Sequence, residues 1–343
     1  MERQNIKCLV TGAAGYLGTV LVKTLSDAGY SVTSLVMPGE KAEHISAYTD
    51  IRRADICDAE ALERVATGFD IVVHLAGIID ITVRNRELIK RVNVGGAKNV
   101  AELCRRHGMK MVYVSSVHAI PCLPKTETMA EITDFDPGKV KGLYSKTKAE
   151  ATQAVLDMAG RGLDAMIAFP SGIIGPSERR LSNIGQLISD FLCGSLTAYV
   201  EGGYNFVDVR DVANGIRGMI ENWRSGECYI LSGYEISVGG MMSEISKASG
   251  RKMLRTRLPY WFALGTSFFA EFYYFLMRKK PLYTYYSMQV LHSNCRFSNQ
   301  KARDGIRFSP RPLQESLSDM TKWIMEHFVV KAGNRYKPCL FRE

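Results

Sequence analysis

Residues 11–18 read TGAAGYLG, three glycines spaced three apart between an apolar run and a helical stretch. The apolar run, Ile6–Val10, predicts a buried strand, and Tyr16–Ala28 predicts a helix that stops at Gly29. Glycine lets a chain turn tightly and lets a ligand approach the backbone, and a helix N-terminus offers N–H groups to an anion. We therefore expect a strand, a turn and a helix that together bind a phosphate group.

A glycine run between a strand and a helix is typical of a nicotinamide dinucleotide site. Asp55 follows the third predicted strand, where its carboxylate can accept a hydrogen bond from the adenine amino group, while Asp58 suits the N-cap of the next helix. His74 begins the run HLAG at residues 74–77 and is interpreted as a packed strand residue. The expected cofactor contacts are Gly12, Gly15, Tyr16, Leu17, Gly18, Asp55, Ile56, Leu75, Ala76, Gly77, Tyr144, Lys148, Pro170 and Ile173.

The choice between NAD and NADP depends on the end of the second predicted strand, Ser31–Val36. An acid there binds the ribose hydroxyls of NAD, whereas an arginine favours the 2′-phosphate of NADP. This chain has Met37 instead, and Lys41 is close enough in sequence to meet a phosphate or simply to be solvated. The sequence leaves both cofactors open and slightly favours NADP, because no acid repels the phosphate.

The catalytic candidates begin with residues 144–148, which read YSKTK. Tyr144 and Lys148 are four residues apart and share one helix face. A free tyrosine has a pKa near ~10, and a neighbouring ammonium lowers it towards the range of an acid–base catalyst. Ser116 ends the fifth predicted strand and can orient a substrate carbonyl, with Ser115 as its competitor. A surface Tyr–Lys pair on an amphipathic helix is the alternative interpretation.

Short β-branched runs alternate with helical stretches over the first two thirds of the chain, which predicts an α/β fold with a doubly wound parallel Rossmann sheet. The predicted strands are Ile6–Val10, Ser31–Val36, Ile51–Ala54, Ile71–Leu75, Lys110–Ser115 and Leu163–Phe169. The predicted helices are Tyr16–Ala28, Ala59–Ala66, Asn85–His107 and Leu143–Arg161. Residues 1–175 should form the dinucleotide-binding domain, completed by about 204–238 with a strand at Cys228–Leu231. Residues 176–203 and 239–343 should form a smaller, mostly helical lobe for the substrate.

Composition argues against several other classes of protein. The net charge of +9 is scattered rather than gathered in a stripe, so no nucleic-acid partner is expected. The eight cysteines form no C-x-x-C pair and no Cys/His ligand spacing, so no metal site is expected. They look like the reduced thiols of a cytoplasmic protein. Because the first predicted strand starts at Ile6, no signal peptide is expected.

These segments, in this order, resemble the extended short-chain dehydrogenase/reductase superfamily over nearly the whole chain. The resemblance implies a Rossmann domain, a smaller C-terminal substrate lobe and a Ser–Tyr–Lys mechanism on Ser116, Tyr144 and Lys148. By analogy with the superfamily, the helices predicted at Asn85–His107 and Leu143–Arg161 would form the four-helix contact of a homodimer.

Within that superfamily the chain looks more like the dihydroflavonol reductase and 3β-hydroxysteroid dehydrogenase branch than like the nucleotide-sugar epimerases and dehydratases. The latter usually carry R-x-x-N-V-Y-G-P around the sixth strand, whereas residues 169–176 read FPSGIIGP, and Ser171 is expected in place of the asparagine that would hold a sugar-nucleotide phosphate. The former act on alcohols and ketones of hydrophobic ring systems. Met37 departs from the dihydroflavonol reductases, which usually carry arginine there.

Residues 259–277 form an aromatic segment with a single charge, Glu271, and with basic residues on both sides. Three interpretations compete: a substrate-lobe helix that walls an apolar pocket, an interfacial helix that rests on a membrane, and a membrane span. The first is favoured and the span is the weakest. The first two are compatible and both favour a lipophilic substrate, so a peripheral membrane contact through residues 259–280 stays open.

The sequence thus predicts an NAD(P)-dependent oxidoreductase that interconverts a secondary alcohol and a ketone on a small hydrophobic, steroid-like or flavonoid-like substrate. The alternative enzyme is a nucleotide-sugar epimerase or dehydratase, which uses the same triad but returns the hydride internally. An alternative of another class is a non-catalytic NAD(P)-binding regulatory protein.

Overall fold

The computed structural model describes residues 6–79, 85–265, 285–332 and 335–342. The strands are β1 (Lys7–Thr11), β2 (Ser31–Val36), β3 (Asp50–Arg53), β4 (Ile71–His74), β5 (Lys110–Val114), β6 (Ala165–Pro170), β7 (Gly172–Ile174), β8 (Ala198–Val200), β9 (Gly203–Asp208), β10 (Cys228–Leu231), β11 (Tyr234–Ser237), β12 (Thr256–Leu258), β13 (Val329–Ala332) and β14 (Arg335–Pro338). The helices are α1 (Tyr16–Asp27), α2 (Ala59–Val65), α3 (Arg86–Lys90), α4 (Ala97–His107), α5 (Leu143–Ala159), α6 (Asn183–Cys193), α7 (Val209–Glu221), α8 (Val238–Ser249), α9 (Tyr285–His292), α10 (Gln300–Ile306) and α11 (Leu313–His327).

A seven-stranded sheet forms the centre of the molecule, with the strand order β10-β6-β5-β4-β1-β2-β3. Every neighbouring pair in it is parallel. The chain winds outward in both directions from β1, so the order reverses between β1 and β4, where such sheets bind ligands at the carboxyl ends of their strands. The predicted fold class is confirmed, and Cys228–Leu231 joins the sheet beside β6 as expected.

Helices cover both faces of this sheet. On one face α2, α4 and α5 bury residues such as Leu62, Val100 and Val155 against the strands. On the other face α1, α7 and α10 bury an equivalent apolar layer. A sheet covered on both sides needs apolar residues at successive positions, which explains why its strands read as continuous β-branched runs. The homodimer contact through α4 and α5 stays a prediction.

The helix predicted as one piece at Asn85–His107 is divided. It begins at Arg86, and its middle segment, Arg91–Gly96, is π-helical. At Gly96 an added Cβ would lie 2.4 Å from Cδ1 of Ile56, so the segment packs closely on the loop after β3. π-Helical turns occur often at functional sites, and apolar periodicity alone does not reveal them.

The lobe beyond the large sheet contains two small sheets whose strand pairing the sequence analysis did not predict. A three-stranded sheet has the order β11-β9-β7, and β12 pairs with β8 in parallel. Helices α6, α8 and α11 enclose a third apolar core around Leu192, Met242 and Leu317. Within the stretch 204–238, only β10 joins the large sheet, whereas β9 and β11 belong to the small one. The division into two domains stays a prediction.

Strands β13 and β14 form an antiparallel hairpin after α11. The chain then returns to this lobe, where the ring of Phe341 stacks on His327 at 5.5 Å and lies under the Arg179 guanidinium at 4.5 Å. Within the described ranges, none of the helices is both long and apolar enough to cross a membrane. Most of the aromatic segment predicted at 259–277 lies outside the described residues, since residues 266–284 are not described.

Candidate active site

The turn between β1 and α1 leaves no room for a side chain at Gly12 or at Gly18. Gly12 has a φ of +66°, and a Cβ there would lie 2.8 Å from the backbone of Ala76. A Cβ at Gly18 would lie 2.3 Å from the carbonyl oxygen of Gly12. Helix α1 starts after Gly15 with no side-chain cap and no acidic residue in its first turn. The turn therefore fits a pyrophosphate, which would accept hydrogen bonds from the backbone at Tyr16 and Leu17.

The side chain of Tyr16 serves the fold rather than the cofactor. Its hydroxyl donates to the carbonyl oxygen of Gly175 at 2.6 Å, and burial raises the pKa of the hydroxyl well above its usual range. This bond joins the start of α1 to the loop after β7. Tyr16 can thus contribute to the predicted phosphate site through its backbone only.

The Glu178 side chain is buried in the same loop, and its Oε1 has no hydrogen-bond partner among the described residues. Burial raises the pKa of this carboxyl to about 7. The folded chain therefore keeps a proton that the unfolded chain has already released, and stability falls as the pH rises from about 4.5 through about 7. Replacing Glu178 by glutamine should remove this loss.

At pH 8 we expect Glu178→Gln to increase the free energy of unfolding by up to about 3 kcal/mol and therefore to raise the melting temperature. At pH 4 the variant and the wild type should have nearly the same melting temperature. Thermal melts followed by circular dichroism at both pH values measure the difference. Glu60→Gln is the matched control because the Glu60 side chain is exposed on α2. Equal melting temperatures of Glu178→Gln and wild type at pH 8 would show that the pKa of the Glu178 carboxyl is not raised by burial.

The loop after β3 carries the residues predicted to hold the adenine. Asp58 caps α2 by accepting from the backbone N–H of Ala61 at 2.9 Å, as expected. One carboxylate oxygen of Asp55, Oδ1, accepts from the backbone N–H of Cys57 at 2.9 Å. That bond fixes the loop and leaves the other carboxylate oxygen to meet an adenine amino group.

The turn after β2 contains a cation that the sequence analysis overlooked. The Arg53 guanidinium donates to the carbonyl oxygens of Met37 at 3.3 Å and Glu40 at 2.8 Å. The Glu40 carboxylate accepts from the backbone N–H of Met37 at 3.3 Å, so an acid also lies at this turn. Arg53 ends β3 and lies opposite Val36 in the parallel register, which brings it to the end of β2. Either charge can contact the adenosine ribose.

We expect Arg53→Ala to raise the KM for NADP about tenfold and to change the KM for NAD far less, because a guanidinium–phosphate bond is charge-assisted. Steady-state kinetics with each cofactor measures this. The adjacent Arg52→Ala is the matched control, since the Arg52 side chain bonds instead to the carbonyl oxygen of Val65. An equal rise for both cofactors would exclude a contact to the 2′-phosphate.

Lys148 lies buried at the carboxyl end of β5. Its ammonium donates to the carbonyl oxygen of Val114 at 2.9 Å and lies 5.2 Å from the ring centroid of Tyr113. Burial lowers the pKa of Lys148 to about 8. A Cβ added to Gly77 would lie 3.7 Å from the Lys148 Nζ, so the predicted cofactor loop passes beside the ammonium.

Tyr144 lies one turn before Lys148 on α5 and is only partly buried. Its ring meets that of His118 edge to face, with the centroids 6.3 Å apart. The pair of Tyr144 and Lys148 is thus placed on one helix face at the ligand-binding edge of the sheet.

The structure gives the two candidate serines different surroundings. The Ser115 hydroxyl shares a 2.7 Å hydrogen bond with Thr152, which in turn donates to the carbonyl oxygen of Lys148. Ser115 therefore connects β5 to α5. The Ser116 hydroxyl accepts from the backbone N–H of His118 at 3.3 Å, which leaves its own proton to be donated. Ser116 is the serine whose hydroxyl can donate to a substrate oxygen.

Asn93 is a site residue that the sequence analysis missed. It lies in the π-helical segment, and its side-chain amide accepts from the backbone N–H of Ile78 at 2.7 Å. The amide also donates to the carbonyl oxygen of Ile78 and to the Thr147 hydroxyl. It thus ties the loop after β4 to α5, next to Lys148. The sequence signal was a polar residue inside a buried helix, two positions before Gly95.

His74 is buried and has no access to a substrate. Its Nδ1 shares a 2.7 Å hydrogen bond with the Thr11 hydroxyl, and its ring stacks on Tyr113. Burial, with a smaller effect of the Lys148 charge, lowers the pKa of His74 to about 3. The backbone N–H of Ala76 also reaches the Thr11 hydroxyl, at 3.3 Å. These bonds hold residues 75–77 against the glycine turn, as a dinucleotide site requires.

The end of β6 shows why the chain lacks two residues of the R-x-x-N-V-Y-G-P pattern. The expectation that Ser171 replaces the asparagine was wrong by one residue: letter by letter, Phe169 stands at the arginine and Gly172 at the asparagine. Phe169 is buried and stacks on Phe135 at 5.2 Å. A Cβ at Gly172 would lie 2.7 Å from the ring of Phe206. Pro170 ends β6, and Ile173 is partly buried in β7. These two predicted nicotinamide contacts therefore lie on either side of Gly172 in the chain.

Relatives of known structure and sequence resemble this chain along most of its length. It is 27% identical to sterol demethylase protein B of Methylococcus capsulatus, over 94% of this chain and 99% of that protein. It is 26% identical to 3beta-hydroxysteroid-dehydrogenase/decarboxylase isoform 1 of Arabidopsis thaliana, over 90% of this chain and 77% of that protein. The crystal structure of gox2253 superposes with a TM-score of 0.82 at 29% identity, over 94% of this chain and 98% of that one.

A family model matches residues 8–232, more than half of the chain, and this range includes the glycine turn, Ser116, Tyr144 and Lys148. The family's members are NAD-dependent enzymes, which agrees with the fit of the glycine turn to a dinucleotide. The chain belongs to the NAD dependent epimerase/dehydratase family.

Proposed function

We propose that this protein is an NAD(P)-dependent oxidoreductase that interconverts a secondary alcohol and a ketone on a hydrophobic ring substrate, with NADP slightly favoured. The choice of a hydrophobic substrate rests on one observation, which is that the Phe206 ring leaves no room for a side chain at residue 172. The Phe206 ring occupies the space that an asparagine side chain would need, and Phe169 is in the core. This position therefore offers no asparagine amide to a nucleotide sugar. The names of the two curated relatives, which refer to sterols and steroids, support the same class.

In this proposal the three side chains divide the work on the substrate oxygen. The Ser116 hydroxyl donates a hydrogen bond to that oxygen and orients it. Tyr144 gives a proton to the oxygen when a ketone is reduced, and takes one when an alcohol is oxidised. Lys148 holds its ammonium near the tyrosine and reaches the cofactor ribose. A bound nicotinamide dinucleotide supplies or accepts the hydride at the carbon.

The buried ammonium of Lys148 argues against a non-catalytic regulatory protein. Burial of a charged lysine destabilises the fold, and strongly perturbed pKa values concentrate at functional sites. The nucleotide-sugar epimerase or dehydratase remains the second candidate, because the family match includes both activities and the same triad serves them.

Nicotinamide absorbance distinguishes the two enzymes. Purified protein would receive NAD(H) or NADP(H) with either a pool of lipophilic ketones and alcohols, including 3-hydroxysteroids, or a pool of UDP- and dTDP-sugars. We expect net oxidation or reduction of the cofactor with the lipophilic pool. Conversion of a nucleotide sugar without net redox change would overturn the proposal in favour of the second candidate.

A further inference from the structure

The loop between β5 and α5 links two residues of the candidate site. It begins at Ser116, whose hydroxyl accepts from the backbone N–H of His118, and it ends where α5 begins, one residue before Tyr144. The ring of His118 also meets that of Tyr144 edge to face. A displacement of this loop would therefore shift the serine and the tyrosine relative to each other.

The middle of this loop has few buried residues to hold it in place. Residues 122–128 are all exposed, whereas Met129 is buried. Within the exposed stretch the backbone N–H of Glu127 donates to the carbonyl oxygen of Pro124 at 3.0 Å, which closes a turn. Segments with few buried apolar contacts open most easily, so the position of this turn depends on the contacts it makes elsewhere.

The amide of Asn294 binds this turn directly. Its Nδ2 donates to the carbonyl oxygens of Pro124 and Glu127, each at 2.8 Å. Its Oδ1 accepts from the backbone N–H of Arg296 at 2.9 Å, which fixes the orientation of the amide. Asn294 is 7% exposed, so it makes these bonds away from bulk water. Removal of the amide would leave its partners without these bonds, which is costly at a buried position.

Residues 293–299, which join α9 to α10, form a connector beside this loop. The backbone of Met129 makes two hydrogen bonds to the connector, at 2.9 Å and 2.8 Å. The connector is also bonded to the end of the large sheet, because the hydroxyl of Ser232, directly after β10, donates to the carbonyl oxygen of Phe297 at 3.3 Å. The amide of residue 294 therefore acts from a fixed position.

We propose that Asn294 is a positioning residue that holds the loop between β5 and α5, and through it Ser116 and Tyr144, in the arrangement that proton transfer requires. A small misplacement that originates far from the reacting atoms can lower a rate about a hundredfold. The connector follows α9, whose Leu291 is buried in the third core, so this core is joined to the catalytic loop at Asn294. The inference rests on the triad of the proposed function, which both candidate activities use.

Hydrogen–deuterium exchange of the full-length protein with excess NADPH tests the hold on the loop and requires no substrate. Asn294→Ala removes the whole amide, whereas Asn294→Asp keeps the acceptor for Arg296 but turns an oxygen towards the two carbonyl groups. In both variants we expect peptides within residues 117–142 to exchange about tenfold faster, and peptides of β1 and α1 to be unchanged. Asn222→Ala is the matched control, because that amide donates to the carbonyl oxygen of Gly218 on α7.

Steady-state kinetics test the positioning role. The probes are 5α-androstane-3,17-dione for the dehydrogenase and UDP-glucose and dTDP-glucose for the second candidate, with rates expressed per molecule of bound cofactor so that unfolded protein does not count. We expect kcat of both Asn294 variants to fall about tenfold or more, while the Kd of the cofactor stays unchanged. A merely structural role would lower the melting temperature and leave this rate as it is in Asn222→Ala.

Unchanged exchange of the loop in the Asn294 variants would overturn the proposal. Faster exchange with a fully retained kcat would overturn it as well, since the loop would then move without affecting the triad. If the wild type converts none of the three probes, the proposed function fails, and the exchange of residues 117–142 alone decides whether Asn294 holds the loop.

Discussion

Replacing Tyr144 by phenylalanine is expected to lower kcat by a factor of about 10²–10⁴, the usual contribution of a positioned acid–base group. The substitution removes only the hydroxyl, so the ring still packs edge to face against His118. The proton that the substrate oxygen gains or loses then has no donor or acceptor on α5. Initial rates of nicotinamide oxidation with a saturating lipophilic ketone measure the loss.

Two controls make this result specific. Tyr234→Phe removes a hydroxyl that donates to the carbonyl oxygen of Pro310 on the small sheet, and it should leave kcat unchanged. Fluorescence titration of Tyr144→Phe with the reduced cofactor should show nearly normal binding, because the glycine turn is intact. A variant that retains more than half of the wild-type kcat would remove Tyr144 from the mechanism.

Replacing Lys148 by methionine is expected to change activity and stability in opposite directions. The turnover should fall about a hundredfold or more, since Tyr144 loses the ammonium that supports its proton transfer. Stability at pH 7 should rise by up to about 3 kcal/mol, because the pKa of Lys148 is about 8 rather than 10.5 and the folded chain therefore bears the full cost of a buried charge. This cost shrinks as the pH rises from about 8 to 10.5.

Kinetic assays and thermal melts of the same samples measure the two effects together. Lys146→Met is the matched control, because Lys146 lies on the same helix but is exposed. Wild type and Lys148→Met should approach equal stability near pH 10, where the wild-type ammonium has lost its proton. A variant that is both inactive and less stable at pH 7 would show that Lys148 acts mainly as a structural residue.

The sequence was sufficient for the strands of the large sheet and for its doubly wound parallel class. Residues 71–73 of β4, for example, are apolar at successive positions, and the glycines at 12 and 18 have backbone contacts that leave no room for a side chain. The apolar run and the spacing of the glycines can each be read within a short stretch of sequence, so neither prediction required knowledge of distant contacts. The shorter strands β8 and β12 gave no such signal, because three residues each show no periodicity and the two strands are far apart in sequence.

The candidate site was only partly predictable for the same reason. Tyr144 and Lys148 lie one helical turn apart, so their relation could be inferred from spacing. The different roles of Ser115 and Ser116 depend on Thr152 and His118, which no sequence pattern brings to them. Arg53 reaches the turn after β2 through the strand register, and Asn93 reaches Ile78 through a π-helical segment.

Transfer of deuterium from the cofactor to the substrate tests the central claim most directly. Reduced nicotinamide cofactor that carries deuterium at both C4 positions would be incubated with the purified protein and either a lipophilic ketone or a nucleotide sugar, and the products would be analysed by mass spectrometry. The proposed function predicts one deuterium in each alcohol molecule and one cofactor oxidised per product. The proposal would be contradicted if the protein isomerised a nucleotide sugar while no cofactor was consumed and the cofactor kept its deuterium.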